Sequence, residues 1–245
     1  MIFRLNKEEK NKIEIFVKNN YSLNRIANQL GKSKSTIYYH FFKLRGRTIQ
    51  KQKIITANEE IKGEFIGLFA GDGCLDKTAD YKYRIYLFFN IKEKNLVEKI
   101  IKNNLHVLFS KKPMIFMTEN KIIICFYSKA IKELIMKYLR WDKKYRKGHT
   151  VHLINNKQSK KFMVGFLRGS IDSDGYISRN KIVFASISPL LIRDIAKFLN
   201  VLRIEHQIYE YDDKRGKRKR IYHIYVKKHH QNKFVTMVKP RKVGT

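Results

Sequence analysis

Two carboxylates offer the clearest chemistry in this chain. Asp72 and Asp174 each precede a glycine, each closes an apolar segment striped with small residues, and they lie 102 positions apart. The same offset relates the small residues before them: Gly63, Gly67 and Gly71 map onto Gly165, Gly169 and Ser173. A small residue at every fourth position marks one stripe of a helix. Two such helices can pack closely and bring their terminal acids together, so the sequence predicts a duplicated protein with one composite acidic site.

A cation is expected at that site. Two carboxylates about 4 Å apart repel by about 4 kcal/mol at an effective dielectric near 20, and an acid in the last helical turn faces the negative end of the helix dipole. Carboxylate oxygens suit hard ions such as magnesium. The alternative, that each Asp-Gly pair is only a turn, is disfavoured by the repeat at a fixed offset. Gly73 and Gly175 are predicted to end the helices as left-handed caps. Lys62 and Glu64 interrupt the apolar run and argue against a membrane helix pair.

The segments FIGLFAGDG (Phe65–Gly73) and LRGSIDSDG (Leu167–Gly175) resemble the paired signatures of the LAGLIDADG homing endonucleases, over about residues 60–245. In that family the last acid of each motif binds the catalytic divalent metal, which the resemblance implies for Asp72 and Asp174. It also implies Mg2+, as two or three divalent ions shared between the repeats. The backbone carbonyls of Gly71 and Ser173, next to the acids, could add ligands.

The motifs depart from the family at several positions. Ala70 replaces the usual first acid of the first copy, and Arg168 and Ser170 replace apolar residues in the second. Arg168 could pair with Asp172 one helical turn further on.

The family also places a lysine of each repeat near the attacking water. Lys147 and Lys242 best fit the spacing, and the alternative for both is a phosphate contact.

The composition favours a polyanionic partner. Lysine and arginine number 53 against 21 acids, a net charge of +32 spread along the chain, which binds and steers nucleic acid. Charge by itself does not separate DNA, RNA and anionic membranes, and solvated lysine faces remain an alternative. Two cysteines, Cys74 and Cys125, fit a reducing compartment: a prokaryotic or phage-host cytoplasm, or an organelle. Neither a signal core nor a membrane-spanning segment is predicted.

Residues 1–48 predict a separate helix-turn-helix DNA-binding domain. Asn6 and Ser22 can cap the first two helices, Gly31 breaks the second, and a third runs to about Leu44. The N-terminal end of a recognition helix enters the major groove. The predicted DNA contacts there are Lys32, Lys34, Ser35, Thr36, Tyr39 and His40. The alternative is a helical appendage that packs on the rest of the protein, and residues 49–59 are interpreted as a basic linker.

The sequence predicts two α+β repeats, one at residues 60–154 and the other at residues 155–245. The predicted strands are Tyr81–Asn90, Met114–Thr118, Ile122–Tyr127, Lys181–Ser186, Gln207–Tyr211 and Arg220–Val226. The predicted helices are Leu96–Leu108, Ala130–Leu139, Pro189–Leu199 and Asn232–Val238. The resemblance implies central motif helices and two antiparallel sheets that form a saddle on the major groove. The groove-facing candidates are Lys82, Arg84, Tyr86, Tyr209, Tyr211, Arg218 and Arg220, with the turn DDKRGKRK.

These features predict a site-specific DNA endonuclease that uses divalent metal to hydrolyse phosphodiester bonds in double-stranded DNA. The protein is expected to be a monomer that needs no obligate protein partner and binds no membrane. The alternative is a non-cleaving relative: a transcription regulator, or an intron maturase with RNA as its partner. Retention of both acids favours the enzyme. A zinc or nucleophile site at His149 and His152, or at His229 and His230, lacks the surrounding ligand pattern.

Overall fold

The computed structural model describes residues 5–45, 52–76, 83–142, 144, 146–155, 157–212 and 220–242. The chain divides into two compact units, Met1–Lys51 and Gln52–Thr245. No helix of the described residues is both long and apolar enough to cross a bilayer.

The first unit is a three-helix domain: α1 (Lys7–Lys18), α2 (Leu23–Gln29) and α3 (Lys34–Arg45). Asn6 and Ser22 cap α1 and α2 as the sequence predicts, and Ser33 Oγ accepts the Thr36 N–H at the start of α3. Gly31, with φ of +55°, takes the left-handed conformation that turns the chain between α2 and α3. The core comprises Leu5, Ile13, Ile26, Ala27, Ile37 and Phe41. Leu44, near the end of α3, is 45% exposed because the helix extends past this small core.

Two long helices form the centre of the second unit: α4 (Glu59–Asp72) and α9 (Lys160–Asp174). Their backbones touch along the small-residue stripes. A Cβ added at Gly63 or Gly67 would overlap the carbonyl oxygen of Phe162 or Phe166, so the approach requires glycine. This close contact brings the C-terminal ends of the helices, and hence the two acids, together.

Two four-stranded antiparallel sheets flank these helices and share one strand order. The first sheet has the order β1-β2-β4-β3, with β1 (Gly73–Leu75), β2 (Arg84–Asn90), β3 (Met114–Met117) and β4 (Lys121–Tyr127). The second has the order β7-β8-β10-β9, with β7 (Tyr176–Ser178), β8 (Lys181–Ser186), β9 (His206–Tyr211) and β10 (Ile221–Val226). The identical order is the structural counterpart of the sequence repeat.

Helices and short strands complete each repeat. In the first they are α5 (Lys94–Ile100), a short π-helix (Ile101–Leu105), α6 (His106–Leu108), α7 (Lys129–Tyr138), β5 (Leu139–Arg140), α8 (Lys147–Thr150) and β6 (His152–Leu153). In the second they are α10 (Pro189–Val201) and α11 (Gln231–Val238). The α+β class is confirmed, with one apolar core that runs from Phe65 to Val238 through both repeats.

Gly73 and Gly175 do not cap their helices in the left-handed conformation: their φ angles are −82° and −92°, and each residue is extended. Glycine is needed there for space, since a Cβ would overlap Phe69 or Ile171. The strands β1 and β7 that follow at once were not predicted.

The predicted linker 49–59 is wrong for residues 52–58, which hydrogen-bond within the second unit. The Ile55 N–H donates to the Leu108 carbonyl over 2.9 Å, and the Ser110 N–H donates to Lys53 over 3.0 Å. Residues 49–51, Lys82, Arg218 and most of the turn DDKRGKRK lie outside the described residues.

Candidate active site

The two acids meet at the joined ends of the central helices. Asp72 is the last residue of α4 and Asp174 the last of α9. Burial and the nearby charges of Asp174 and Glu93 raise the pKa of Asp72 from 3.8 to about 7. The pKa of Asp174 is also raised, mainly because the surrounding protein displaces water, although the residue is partly exposed to solvent. Additional positive charge near the two acids would therefore stabilise their ionised forms.

A lysine from each repeat lies against each helix end. Lys147, from α8, donates from Nζ to the carbonyls of Phe69, Ala70 and Gly71 at 2.6, 2.7 and 2.9 Å. These are the last carbonyls of α4, where a cation is favoured by the helix dipole. Burial lowers the pKa of Lys147 to about 8, while both acids oppose this effect.

Lys242 is the counterpart of Lys147 at the end of α9. Its Nζ donates to the carbonyls of Ser173 at 3.0 Å and Gly175 at 3.2 Å. The charges of both lysines act on both acids. The carbonyls of Gly71 and Ser173, expected to be open to a metal, accept lysine hydrogen bonds here. Each carbonyl has a second lone pair, through which it could still bind a cation.

A third carboxylate, Glu93, was missed by the sequence reasoning. Its Oε1 lies 3.3 Å from Lys242 Nζ, and its Oε2 accepts the Asn90 N–H at 3.1 Å. The spacing Asn90-x-x-Glu93 is a capping-box signal that marks a helix start. That signal does not reveal that the carboxylate reaches across to a residue 149 positions later in the chain.

A buried ionic network crosses the interface of α4 and α9. Arg168 donates to Glu64 Oε2 at 3.2 Å, to the Val238 carbonyl at 2.7 Å and to Glu60. The suggested pair of Arg168 with Asp172 is therefore wrong: in the described interface Arg168 pairs with the acids of α4, which lie across the interface, because a close helix contact needs its buried cation neutralised.

Asp172 instead fixes the C-terminal segment. Its carboxylate accepts the backbone N–H groups of Arg241, at 2.9 and 3.1 Å, and of Lys242, at 3.0 Å. Arg241 also donates from Nη2 to Glu64 at 2.9 Å. Burial raises the pKa of Asp172 to about 6, and the two backbone hydrogen bonds oppose this increase. The first acid of the second motif thus anchors the segment that carries Lys242.

Asp174, at the end of α9, borders an open cavity of about 340 Å3. Gly71 and Asp174 line one side, and Gly148, Ile187 and Ile221 line others. The cavity gives a substrate access to the helix ends.

The oxygen-rich donor set fits a divalent metal. Asp72 and Asp174 can supply carboxylate oxygens, with the free lone pairs of the two carbonyls nearby. Burial, together with the charge of Asp174, raises the pKa of Asp72, so a bound cation would stabilise its ionised form. Hard oxygen ligands of this kind suit magnesium.

The sheet residues expected to face DNA divide into two groups. Arg84 and Tyr86 lie on the solvent side of β2, and Arg84 pairs with Asp76 at 3.5 Å. Tyr209 and Tyr211 are exposed on β9, beside Tyr225 and His223 of β10. Arg220 is paired with Glu210 and Asp212 at 3.0 and 3.1 Å, so its charge is partly used within the protein.

In the first unit, the expected contact residues are not equally available. Lys34, Ser35 and Tyr39 are exposed, while Thr36 and His40 are half-buried. Lys32 pairs with Glu9 at 3.0 Å, because α1 and α3 pack together.

His229 and His230, for which the sequence shows no zinc-ligand pattern, lie in a surface cluster with Glu205. His229 Nε2 lies 3.5 Å from Glu205 Oε1, and His230 Nδ1 accepts the Glu205 N–H at 2.8 Å. Lys227 also pairs with Glu205, at 3.0 Å. The ligand atoms of Glu205, His229 and His230 lie within 4.8 Å of one another, and His230 Nδ1 and the Glu205 carboxylate take part in these contacts.

Comparisons with known proteins agree with the geometry. Residues 161–239 match the family described as a LAGLIDADG-like domain, and residues 4–41 match a helix-turn-helix domain. Residues 161–239 are therefore similar to a LAGLIDADG-like domain and residues 4–41 to a helix-turn-helix domain. The resemblance that the motifs indicated is thereby confirmed.

Solved structures share this fold. Mesophilic variants of the homing endonuclease I-DmoI align with a TM-score of 0.52 at 15% identity, over 74% of this chain and 95% of theirs. I-DmoI in complex with DNA and Ca gives 0.52 at 16% identity, over 75% and 91%. Full-length DUF199/WhiA from Thermatoga maritima gives 0.52 at 14% identity, over 76% and 57%. At these identities the likeness establishes the fold. A comparison with curated protein sequences found no match.

Proposed function

We propose that this protein is a site-specific endonuclease that hydrolyses phosphodiester bonds in both strands of a DNA duplex with the help of divalent metal. One observation carries the proposal. Each central helix ends in an acid, Asp72 or Asp174, and each end is accompanied by a lysine ammonium from its own repeat. Such a paired arrangement offers the same groups to two phosphates on opposite strands.

Each group has a role in that chemistry. Asp72 and Asp174 would hold the metal, which would polarise the scissile phosphate, activate water and stabilise the leaving oxygen. Lys147 and Lys242 hold positive charge at the helix ends and can stabilise the charge that builds up on the phosphate. Lys147, with a pKa of about 8, is mostly protonated at neutral pH and supplies that charge.

Double-stranded DNA is the proposed partner. The net charge of +32 favours a polyanion, and I-DmoI, which shares the fold, has been crystallised with its target DNA. The helix-turn-helix domain would add a second contact through Lys34, Ser35 and Tyr39.

A non-cleaving DNA-binding relative is the second candidate, and one observation favours it. The lysine ammonium groups already hydrogen-bond to the carbonyls of Gly71 and Ser173. In a binding protein, the two ammonium groups would neutralise the acids in place of a metal. Asp72 and Asp174 would then stabilise the fold and take no part in catalysis.

Cleavage of a randomised duplex library in Mg2+, with the new ends sequenced, distinguishes the two. The enzyme should release ends at one defined sequence, with both strands cut. Asp72→Asn and Asp174→Asn should each lower the cutting rate at least about 100-fold, as loss of a metal ligand costs several kcal/mol of transition-state stabilisation. Both variants should still bind the selected duplex in Ca2+, because each also removes a negative charge near phosphate. Specific binding without any cutting by the wild type would identify the binding relative.

A further inference from the structure

The two sheets present different chemistry on their outer faces, meaning the faces that turn away from the helices. In the first sheet, strand register places Tyr86 opposite Cys125, Phe88 opposite Ile123, and Phe116 opposite Ile123 on its other side. Phe88, Met114 and Phe116 are 37, 42 and 49% exposed. The centre of this outer face is thus apolar, which is unusual on a protein with a charge of +32. Arg84 and Tyr127 border it at one end, and Asn90 and Lys121 at the other.

The outer face of the second sheet is instead rich in hydrogen-bonding groups. Tyr209, Tyr211, His223 and Tyr225 form one contiguous aromatic cluster there, with Gln207 opposite Tyr225. The repeats have therefore diverged in surface chemistry while keeping the same strand order.

The apolar face continues directly from the candidate active site. β1 begins immediately after Asp72, and its Cys74 pairs with Tyr86 of β2 on the outer face. A duplex whose phosphate lies at Asp72 would therefore pass over this face. Lys112, just before β3, and Lys121, at the start of β4, are exposed and have the charge that phosphates require. The high positive charge disfavours a second copy of the chain as the occupant.

We propose that this face reads a thymine-rich half-site by packing thymine methyl groups against Phe88, Met114, Phe116 and Ile123. This specificity rests on the proposed DNA endonuclease function. Thymine is the base that presents a methyl group in the major groove, and apolar side chains contact it favourably. The same side chains cannot donate to guanine O6 and N7, so a G·C pair would lose its hydrogen bonds to water without replacement.

The test compares thymine with deoxyuridine, which lacks only the methyl group. The preferred duplex is first selected from a randomised library. Thymines of one half-site at a time are then replaced, and the Kd is measured by fluorescence anisotropy in Ca2+. Affinity should fall about fourfold for each methyl removed from the half-site under the first sheet, as expected for one buried methylene. Replacement in the other half should change the Kd less than about twofold, since burial there is mainly polar.

Phe116→Ser and Met114→Ser should weaken binding to the thymine duplex and abolish its advantage over the deoxyuridine duplex. Val201→Ser is the matched control, because Val201 is 47% exposed at the end of α10, which packs on the opposite side of the second sheet. It should leave both Kd values unchanged. Circular dichroism confirms that the variants fold.

Specific binding and cutting with equal affinity for the two duplexes would overturn this specificity and leave the endonuclease intact. A protein that dimerises through Phe116 would also overturn it. If no sequence is enriched from the library, the proposed function and the thymine readout both fail.

Discussion

The backbone N–H of Lys242 donates to Asp172 Oδ1 over 3.0 Å, so an acid inside the second motif holds the segment that delivers a lysine to the end of α9. The same carboxylate binds the neighbouring N–H of Arg241, whose guanidinium pairs with Glu64 of α4. Asp172 is thus a positioning residue: it acts on the site through Lys242. Its counterpart in the first motif is Ala70, and Lys147 reaches that helix end from a separate short helix, α8.

Asp172→Ala should lower the maximal cutting rate by about tenfold, with little change in Kd for DNA. This is less than the roughly 100-fold or greater loss expected when an oriented catalytic group is removed, because Lys242 remains present but is held less firmly. Single-turnover cleavage at saturating enzyme measures the rate, and anisotropy measures binding. Asp172→Asn is the conservative control, since its Oδ1 can still accept a backbone N–H.

Coupling to Lys242 separates positioning from a general loss of stability. If Asp172 acts through Lys242, the variant Asp172→Ala/Lys242→Ala should cut no more slowly than Lys242→Ala. Fully additive losses would contradict the positioning role.

The burial of Asp72 beside Asp174 should appear in the pH dependence of stability. Folding raises the pKa of Asp72 from 3.8 to about 7, so the folded state favours the protonated form. Below pH 3.8 the Asp72 carboxyl is protonated in both the folded and the unfolded state and costs no stability. Stability is then lost progressively as the pH rises from about 4 to about 7, because the unfolded state ionises first. In EDTA, Asp72→Asn should raise the Tm at pH 8 by about 3 °C, a change equivalent to about 1 kcal/mol, and change it little at pH 4.

Asp172, with a pKa of about 6, changes stability in the same direction. The informative quantity is therefore the difference in Tm between wild type and Asp72→Asn at each pH. Mg2+ should raise the wild-type Tm at pH 8 and have a smaller effect on the variant. A Tm difference that does not vary with pH would show that the two carboxylates are already neutralised in the metal-free protein.

DNA binding should weaken steeply with salt. Counterion release gives a slope of log affinity against log salt of about −0.9 for each phosphate neutralised, and six or more contacts imply roughly a thousandfold loss between 50 and 200 mM. An anisotropy titration over this range, on the selected duplex, measures the slope. A nearly flat dependence would point to a protein partner for the basic surface.

Most of the scaffold could be predicted because its signals are local. The alternation in β2 and β8 and the caps at Asn6 and Ser22 are readable from a few neighbouring residues. β1 and β7 have three residues each, too few to show alternation. The extended conformation of Gly73 could not be anticipated either, because its need for glycine comes from Phe69 packing over the helix end.

The site was only partly predictable for the same reason. The fixed offset between the motifs is enough to identify Asp72 and Asp174 as partners. Glu93 and Arg241 enter the network through contacts between residues more than 140 positions apart. No spacing in one sequence encodes contacts of that range.

The helix-turn-helix domain should contribute affinity for DNA and no part of the cutting chemistry. Residues 1–51 form their own compact unit with their own core, and none of the acids or lysines of the candidate active site belongs to it. Deleting residues 1–51 should therefore keep the maximal cutting rate at saturating enzyme. Affinity for long duplexes should fall at least about tenfold, since a tethered second module raises the effective concentration of binding. The footprint should shrink at one end only, because there is one such domain for two repeats.

Lys34→Ala/Tyr39→Ala should reproduce the effect of the deletion, whereas Lys7→Ala/Lys18→Ala on α1 is a control that removes charge away from α3. An unchanged footprint and affinity after truncation would make the domain a packing or partner module, and a truncated protein that fails to fold would show that the second unit depends on it.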